Sequence, residues 1–208
     1  MEYRIDNKKI NIKNLKLIGS GSEGNVFKYR SYALKIKHND ELGLSYDDCL
    51  YMMHTRTSNI LLPKGIFYKN GRYSGYVTKY IPKGNNFNLT DLKSSDLVSK
   101  VLLPLDEDLR VLAKRNILLS DVSTDNIAKN KSLFLIDPGC YTITYDLKSR
   151  SINELNREEV RCLLNTIINQ ELRKYKLSYE IGECDNFSYY MKENINDDLS
   201  VKEFVLKK

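Results

Sequence analysis

The chain has 208 residues, with 33 Lys and Arg, 27 Asp and Glu, two His, four Cys, no Trp and a formal net charge of +6. Its 41% hydrophobic content can fill the core of one folded unit, which excludes collagen-like, coiled-coil and disordered classes. The longest apolar runs, such as Ile117-Leu118-Leu119, fall far short of the roughly 20 residues that cross a bilayer, so no membrane span is expected.

The opening residues mix charges and hold no apolar stretch, which predicts no standard signal peptide and a cytoplasmic chain. Cys49, Cys140, Cys162 and Cys184 are widely spaced with no CxxC pair, and His38 and His54 are the only histidines. Neither a zinc site nor a disulfide framework is suggested. Residues 1–100 hold 17 Lys and Arg against 9 Asp and Glu, whereas residues 101–208 hold 16 against 18. The basic excess belongs to the front half, which should attract an anion: a nucleotide, an acidic protein or a polynucleotide.

In chain order, Leu15 to Lys37 predicts three antiparallel strands, with a first turn at Gly19-Ser20-Gly21-Ser22-Glu23-Gly24. A helix follows around residues 46–55, capped near Ser45 and presenting Cys49, Leu50, Met52 and Met53 on one face. The runs 65–69 and 73–81 bracket Asn70-Gly71, a dipeptide suited to a tight hairpin because both residues accept positive φ. The front half is thus a sheet of about five strands with one helix inserted. Pro82-Lys83-Gly84-Asn85-Asn86 predicts a hinge or linker.

Beyond it, Leu105, Leu109, Leu112 and Ala113 fall on one helix face. Ile127–Ala128 and Leu133–Ile136 predict two short strands around a polar turn. Ser151 and Glu154 form a capping box that opens a helix to about Tyr175, and Ser200 and Glu203 repeat the pattern before a last short helix. Tyr179, Phe187, Tyr189, Tyr190 and Phe204 predict that the C-terminal segment docks rather than staying disordered.

Three motifs carry chemistry. Gly19-x-Gly21-x-x-Gly24-x-Val26 lies between two strands, where residues without Cβ atoms let the backbone cover phosphates while Val26 covers an adenine. Lys35 stands in an apolar strand and points opposite to Leu34 and Ile36, towards the underside of the loop, where its ammonium could bridge two phosphates. Asp121-Val122-Ser123-Thr124-Asp125-Asn126 is followed by a strand ending in Asp137-Pro138-Gly139. In phosphoryl transfer one such carboxylate orients the attacking hydroxyl while the amide and the second carboxylate hold Mg²⁺.

From Leu15 to about Gly139 the sequence resembles the eukaryotic-type protein kinase superfamily. The resemblance implies an α+β, bilobal fold, with a five-stranded antiparallel N-lobe over residues 1–81 and a shortened, mainly helical C-lobe over 82–208. It places the glycine loop on Gly19, Gly21 and Gly24, the strand lysine on Lys35 and the catalytic aspartate on Asp121. The metal ligands fall on Asn126 and Asp137. Val26 and Ala33 would roof the adenine, Thr78 falls near the gatekeeper position, and Lys79-Tyr80-Ile81 would be the hinge. The acid that pairs with Lys35 is assigned to Asp48 on the first helix, with Asp47 and Glu41 as substitutes.

The sequence also departs from that family. Leu119-Ser120-Asp121 replaces His-Arg-Asp, and a serine cannot supply the cation that binds a phosphorylated activation loop. Ser123 and Asp125 replace the basic residues usual near the transferred phosphoryl. Pro138 replaces a phenylalanine and fixes φ, no Ala-Pro-Glu follows, and the segment before Ser151 is short. The resemblance is therefore to compact bacterial kinases, some of them effectors delivered into host cells.

The function implied is an ATP- and Mg²⁺-dependent phosphotransferase acting on protein serine or threonine, constitutively competent or completed by an acidic partner. The alternatives are a pseudokinase binding module and a small-molecule kinase of the aminoglycoside or choline type. Nucleic acid is a distant expectation, since no binding motif for it is visible.

Overall fold

The computed structural model describes residues 2–82, 84, 87–175, 177 and 197–206. Cys184, Tyr179, Phe187, Tyr189 and Tyr190 lie outside the described residues, as do parts of the predicted linker. Strands β1 (Tyr3–Ile5), β2 (Lys8–Lys9), β3 (Lys16–Ser20), β4 (Gly24–Tyr29), β5 (Tyr32–Lys37), β6 (Gly65–Lys69) and β7 (Arg72–Lys79) form one antiparallel sheet. Its order is β2-β1-β6-β7-β5-β4-β3, with helix α1 (Tyr46–Met53) inserted between β5 and β6.

The sheet has two strands more than the sequence predicts. β1 and β2 are too short to show alternation, and they turn at Asp6, which adopts φ 49°. Asp6 Oδ1 accepts the Ile66 amide at 2.9 Å, which seats β1 against β6. The Asn70-Gly71 turn takes the expected positive φ at both residues, 51° and 80°.

The alternation in β5 separates the two faces of the sheet. Leu34 packs with buried Phe67 and Val77, under Tyr3, Ile5, Ile10, Ile12 and Leu15. Burying Leu34 or Phe67 stabilises the fold by about 2 to 3 kcal/mol each. The opposite face joins the main core, where Cys49 and Met52 of α1 meet Ile66 and Tyr76.

Beyond the sheet, α2 (Ser94–Leu97) runs through a π-helical stretch at Val98–Leu102 into α3 (Leu103–Lys114). Then come β8 (Ile117–Leu118), the hairpin β9 (Ile127–Lys129) with β10 (Leu133–Leu135), and β11 (Thr142–Ile143), which pairs with β8. The long helix α4 (Ser149–Lys174) begins before the predicted capping box. The Ile152 amide already reaches the Lys148 carbonyl at 3.0 Å, so the first turn closes ahead of Ser151. The second box forms as expected: the Ser200 amide donates to Glu203 Oε2 at 2.8 Å and the Glu203 amide to Ser200 Oγ at 3.2 Å, opening α5 (Val201–Leu206). Phe204 is buried in the main core, and Asp198 accepts from Ser94 and Ser95, so this last helix is docked.

Among the described residues no helix is long and apolar enough to cross a membrane, and no three His, Cys, Asp or Glu side chains converge on a metal position. Cys49 and Cys140 are free thiols.

Candidate active site

Val26, Lys35 and Tyr76 are cross-strand neighbours on β4, β5 and β7, so their side chains leave the sheet on one face. Ala33 and Thr78 form the next row on that face. Lys35, 9% exposed in its side chain, is aimed as the alternation predicts. Its Nζ donates to Asp137 Oδ2 at 2.8 Å, to Asp137 Oδ1 at 2.9 Å and to Glu23 Oε2 at 2.6 Å.

Asp137 is delivered to this point by a sequence of backbone contacts. The buried Asp108 carboxylate of α3 accepts the amides of Ser58, Asn59 and Ile60 at 2.6–3.0 Å. The segment it holds pairs with β10: the Leu61 amide reaches the Leu135 carbonyl at 2.8 Å and the Leu135 amide reaches the Asn59 carbonyl at 2.9 Å. Two residues later stands Asp137, whose Oδ1 also accepts the Tyr76 hydroxyl at 3.0 Å and the Gly139 amide at 3.0 Å.

Asp121 is placed by α4. Fully buried Asn156 accepts the Leu119 amide at 2.8 Å and donates to the Ile117 carbonyl at 3.0 Å, fixing β8 and the residue after it. The Ser120 hydroxyl donates to the Cys140 carbonyl. Asp121 itself is exposed and adopts φ 53°, a left-handed conformation that non-glycine residues hold only where the surroundings impose it. Asn126 sits close by: its Nδ2 donates to the Asp121 carbonyl at 3.2 Å, and its own carbonyl accepts the Ile136 amide at 2.9 Å, beside Asp137.

The structure corrects the assignment of Asp48 to Lys35. Asp48 turns back on the first turn of α1, where Ser45 Oγ donates to its Oδ2 at 2.7 Å and accepts its amide at 3.1 Å. The carboxylate that meets Lys35 belongs to Glu23, between the second and third loop glycines. The Cys140 thiol lies 3.3 Å from Glu23 Oε1 and 3.7 Å from Asp121 Oδ2, so the polar contacts run unbroken from Asp121 through Cys140, Glu23 and Lys35 to Asp137 and Tyr76.

These contacts shift the protonation equilibria. Burial pulls the Lys35 ammonium down, but Asp137 and Glu23 together outweigh it and hold its pKa above the ordinary 10.5. Burial and the nearby Asp137 carboxylate push the Tyr76 hydroxyl well above its usual range. Burial, reinforced by Glu23, pushes the Cys140 thiol up to about 12.

The three loop glycines do different work. A Cβ on Gly24 would lie 2.3 Å from the Ile36 carbonyl oxygen, so glycine is required there by the close approach of β4 to β5. A Cβ on Gly19 would merely touch Val26, and one on Gly21 would meet nothing within 4 Å. Across β5, Gly75 takes φ 153° and a Cβ there would lie 2.0 Å from the Lys35 carbonyl oxygen.

The donor set fits Mg²⁺ and a phosphate chain. Among the described residues, Asp137 Oδ1 takes three hydrogen bonds but Oδ2 only the one from Lys35, which leaves capacity for a hard cation. With Nδ2 engaged, Asn126 Oδ1 is the amide atom left for such an ion. The space in front of Gly21 is open to phosphate oxygens. Lys79 ends β7, and the Tyr80 amide is committed to the Ser31 carbonyl at 2.9 Å, so a base edge at this strand end would meet Lys79 or Ile81.

Glu23, Tyr76, Cys140, Asn156 and Asp108 were not singled out by sequence. A signal existed for two of them: Asn156 continues the apolar stripe of Ile152, Val160 and Leu163, and Asp108 that of Leu105 and Leu112, and a polar residue on a core stripe has a buried partner.

No family model matches the chain, and no curated protein matches it in sequence. A solved structure is similar in shape: the kinase PK-1 of the Cydia pomonella granulovirus, with a TM-score of 0.52 and 16% sequence identity, covering 94% of this chain and 94% of that one. The sheet with its inserted helix and the helices behind it therefore have a protein-kinase-like fold.

Proposed function

We propose that the chain is an ATP- and Mg²⁺-dependent phosphotransferase, acting as a minimal serine/threonine protein kinase. The observation that supports this reading best is the bond between Lys35 and Asp137, 102 positions apart, with Asp121 and Asn126 gathered beside it. Bound ATP and Mg²⁺ would supply the transferable phosphoryl group and offset its charge. Val26 and Ala33 offer the sheet face for the adenine, and Lys35 offers its ammonium to the phosphates. Asn126 and Asp137 would hold the metal ion. Asp121 would accept a hydrogen bond from the acceptor hydroxyl, aim its oxygen at the γ-phosphorus and take the proton as the new P–O bond forms and the bond to the bridging oxygen of the departing ADP breaks. The basic residues of the front half suit an acidic protein partner.

The test is transfer of labelled γ-phosphate from ATP to the chain itself and to a generic protein, beside Asp121→Asn and Asp137→Asn. Transfer abolished by both substitutions supports the kinase; transfer unaffected by either defeats it. A panel of aminoglycoside and choline acceptors separates the small-molecule alternative. A non-catalytic binding module is the second reading, favoured by Ser120, whose hydroxyl is turned to the Cys140 carbonyl where the family carries a cation. MgATP binding without transfer to any acceptor would select it.

A further inference from the structure

We propose that Glu23 is the residue that positions Lys35 for phosphate binding, so that this lysine is set by its own hairpin and not by helix α1. The inference rests on the phosphotransferase reading and assigns the control of its central cation.

Glu23 is anchored through its own backbone at the start of β4. Its carbonyl accepts the His38 amide at 2.9 Å, extending the β4–β5 ladder by one rung beyond the Gly24–Lys37 pair. The Gly21 amide closes on the Gly24 carbonyl at 3.0 Å, so Ser22 and Glu23 form the turn between them, Ser22 exposed and Glu23 half-buried.

The space around the carboxylate is shaped to receive it. A Cβ on Gly139 would stand 2.5 Å from Glu23 Oε2, and a Cβ on Gly43, which adopts φ 62°, would stand 2.8 Å from the same oxygen. Two glycines from separate segments thus leave room for one carboxylate, and Cys140 takes its other oxygen. Helix α1 contributes no acid here: among the described residues the carboxylates on Lys35 are those of Glu23 and Asp137, and Asp48 is engaged with Ser45. Displacement of α1 would therefore leave the Glu23–Lys35 bond intact, and Lys35 would stay aimed without activation of that helix.

The opposite possibility has the opposite sign. If Glu23 merely filled the phosphate position, removing its charge would help nucleotide to enter. The experiment compares the full-length wild-type chain with Glu23→Gln and Asp48→Asn in two assays. The first is the pH profile of Lys35 acylation by an amine-reactive ester without nucleotide, read by peptide mass spectrometry. The second is the dissociation constant of MgATP.

With Glu23→Gln, acylation of Lys35 should move to lower pH, and MgATP binding should weaken by roughly ten- to a hundredfold, the effect of a lost charged hydrogen bond. Asp48→Asn should change neither. Equal or tighter MgATP binding by Glu23→Gln overturns the proposal, as does an unchanged acylation profile. If the wild-type chain binds no MgATP, the phosphotransferase reading fails, and the acylation profile still decides whether Glu23 sets Lys35.

Discussion

Lys35 Nζ and Asp137 Oδ2 lie 2.8 Å apart although 102 positions separate the residues in sequence, and the bond ties the sheet to the segment that follows β10. Lys35→Met and Asp137→Asn should each destabilise the fold, and the double variant should lose less than the sum. A coupling energy of roughly 1 to 2 kcal/mol is expected from urea titrations of the four proteins. Because the pair raises the lysine pKa, its contribution is complete below the ordinary value of 10.5 and disappears as pH rises through the raised one. Additive effects at neutral pH would show that the contact contributes nothing.

Asp121 is exposed and makes no contact that holds up the core, so its removal should separate chemistry from folding. Asp121→Asn should lower phosphoryl transfer by about a hundred- to ten-thousandfold while leaving the urea midpoint close to wild type. Asn126→Ala should instead weaken the dependence on Mg²⁺, raising the concentration needed for half-maximal transfer. Loss of stability in Asp121→Asn comparable to its loss of activity would assign the residue a structural role.

Asp108 is 3% exposed, and its two oxygens receive the amides of three consecutive residues. Asp108→Ala leaves those amides without an acceptor and should cost about 3 kcal/mol or more. The segment Ser58–Ile60 should then lose hydrogen-exchange protection before the seven-stranded sheet does. Uniform protection throughout the chain would argue against this route from α3 to Asp137.

Cys140 has its thiol pushed from the ordinary 9.0 up to about 12, so at pH 8.5 it should alkylate roughly a thousandfold more slowly than in the unfolded chain. The sign for stability follows from the raised value. The thiol contributes fully below about pH 9, where folded and unfolded forms are both protonated, and the contribution is lost as pH climbs towards 12. Rapid alkylation of Cys140 in the folded protein at pH 8.5 would contradict the contacts drawn for Glu23 and Cys140.

Local patterns made much of the molecule legible. The outward and inward sides of β5, the Asn70-Gly71 turn and the Ser200–Glu203 cap each depend on residues a few positions apart, and each forms as expected. The contacts that build the site are of another kind. Which acid meets Lys35 depends on how the three-residue turn between β3 and β4 folds back and on where α1 points its first turn, and neither is encoded in spacing. Asp48 has the right charge for Lys35 but a nearer partner in Ser45, and the short-range hydrogen bond prevails. The start of α4 escaped for a related reason: a capping pattern at Ser151 competes with a backbone that is already helical from Ser149 and accepts its first bond at the Lys148 carbonyl.

Strand β5 runs between Gly24 and Gly75, and on each side a methyl group would collide with its carbonyl oxygens. Both positions should be mutationally intolerant for reasons that have nothing to do with a ligand. In a scan of all single substitutions selected for folding alone, Gly24 and Gly75 would be depleted while Gly21 would accept small side chains. Under selection for nucleotide use, Gly21 would join them. The difference between the two scans at that one position, and not the count of glycines in the loop, is what reports phosphate contact.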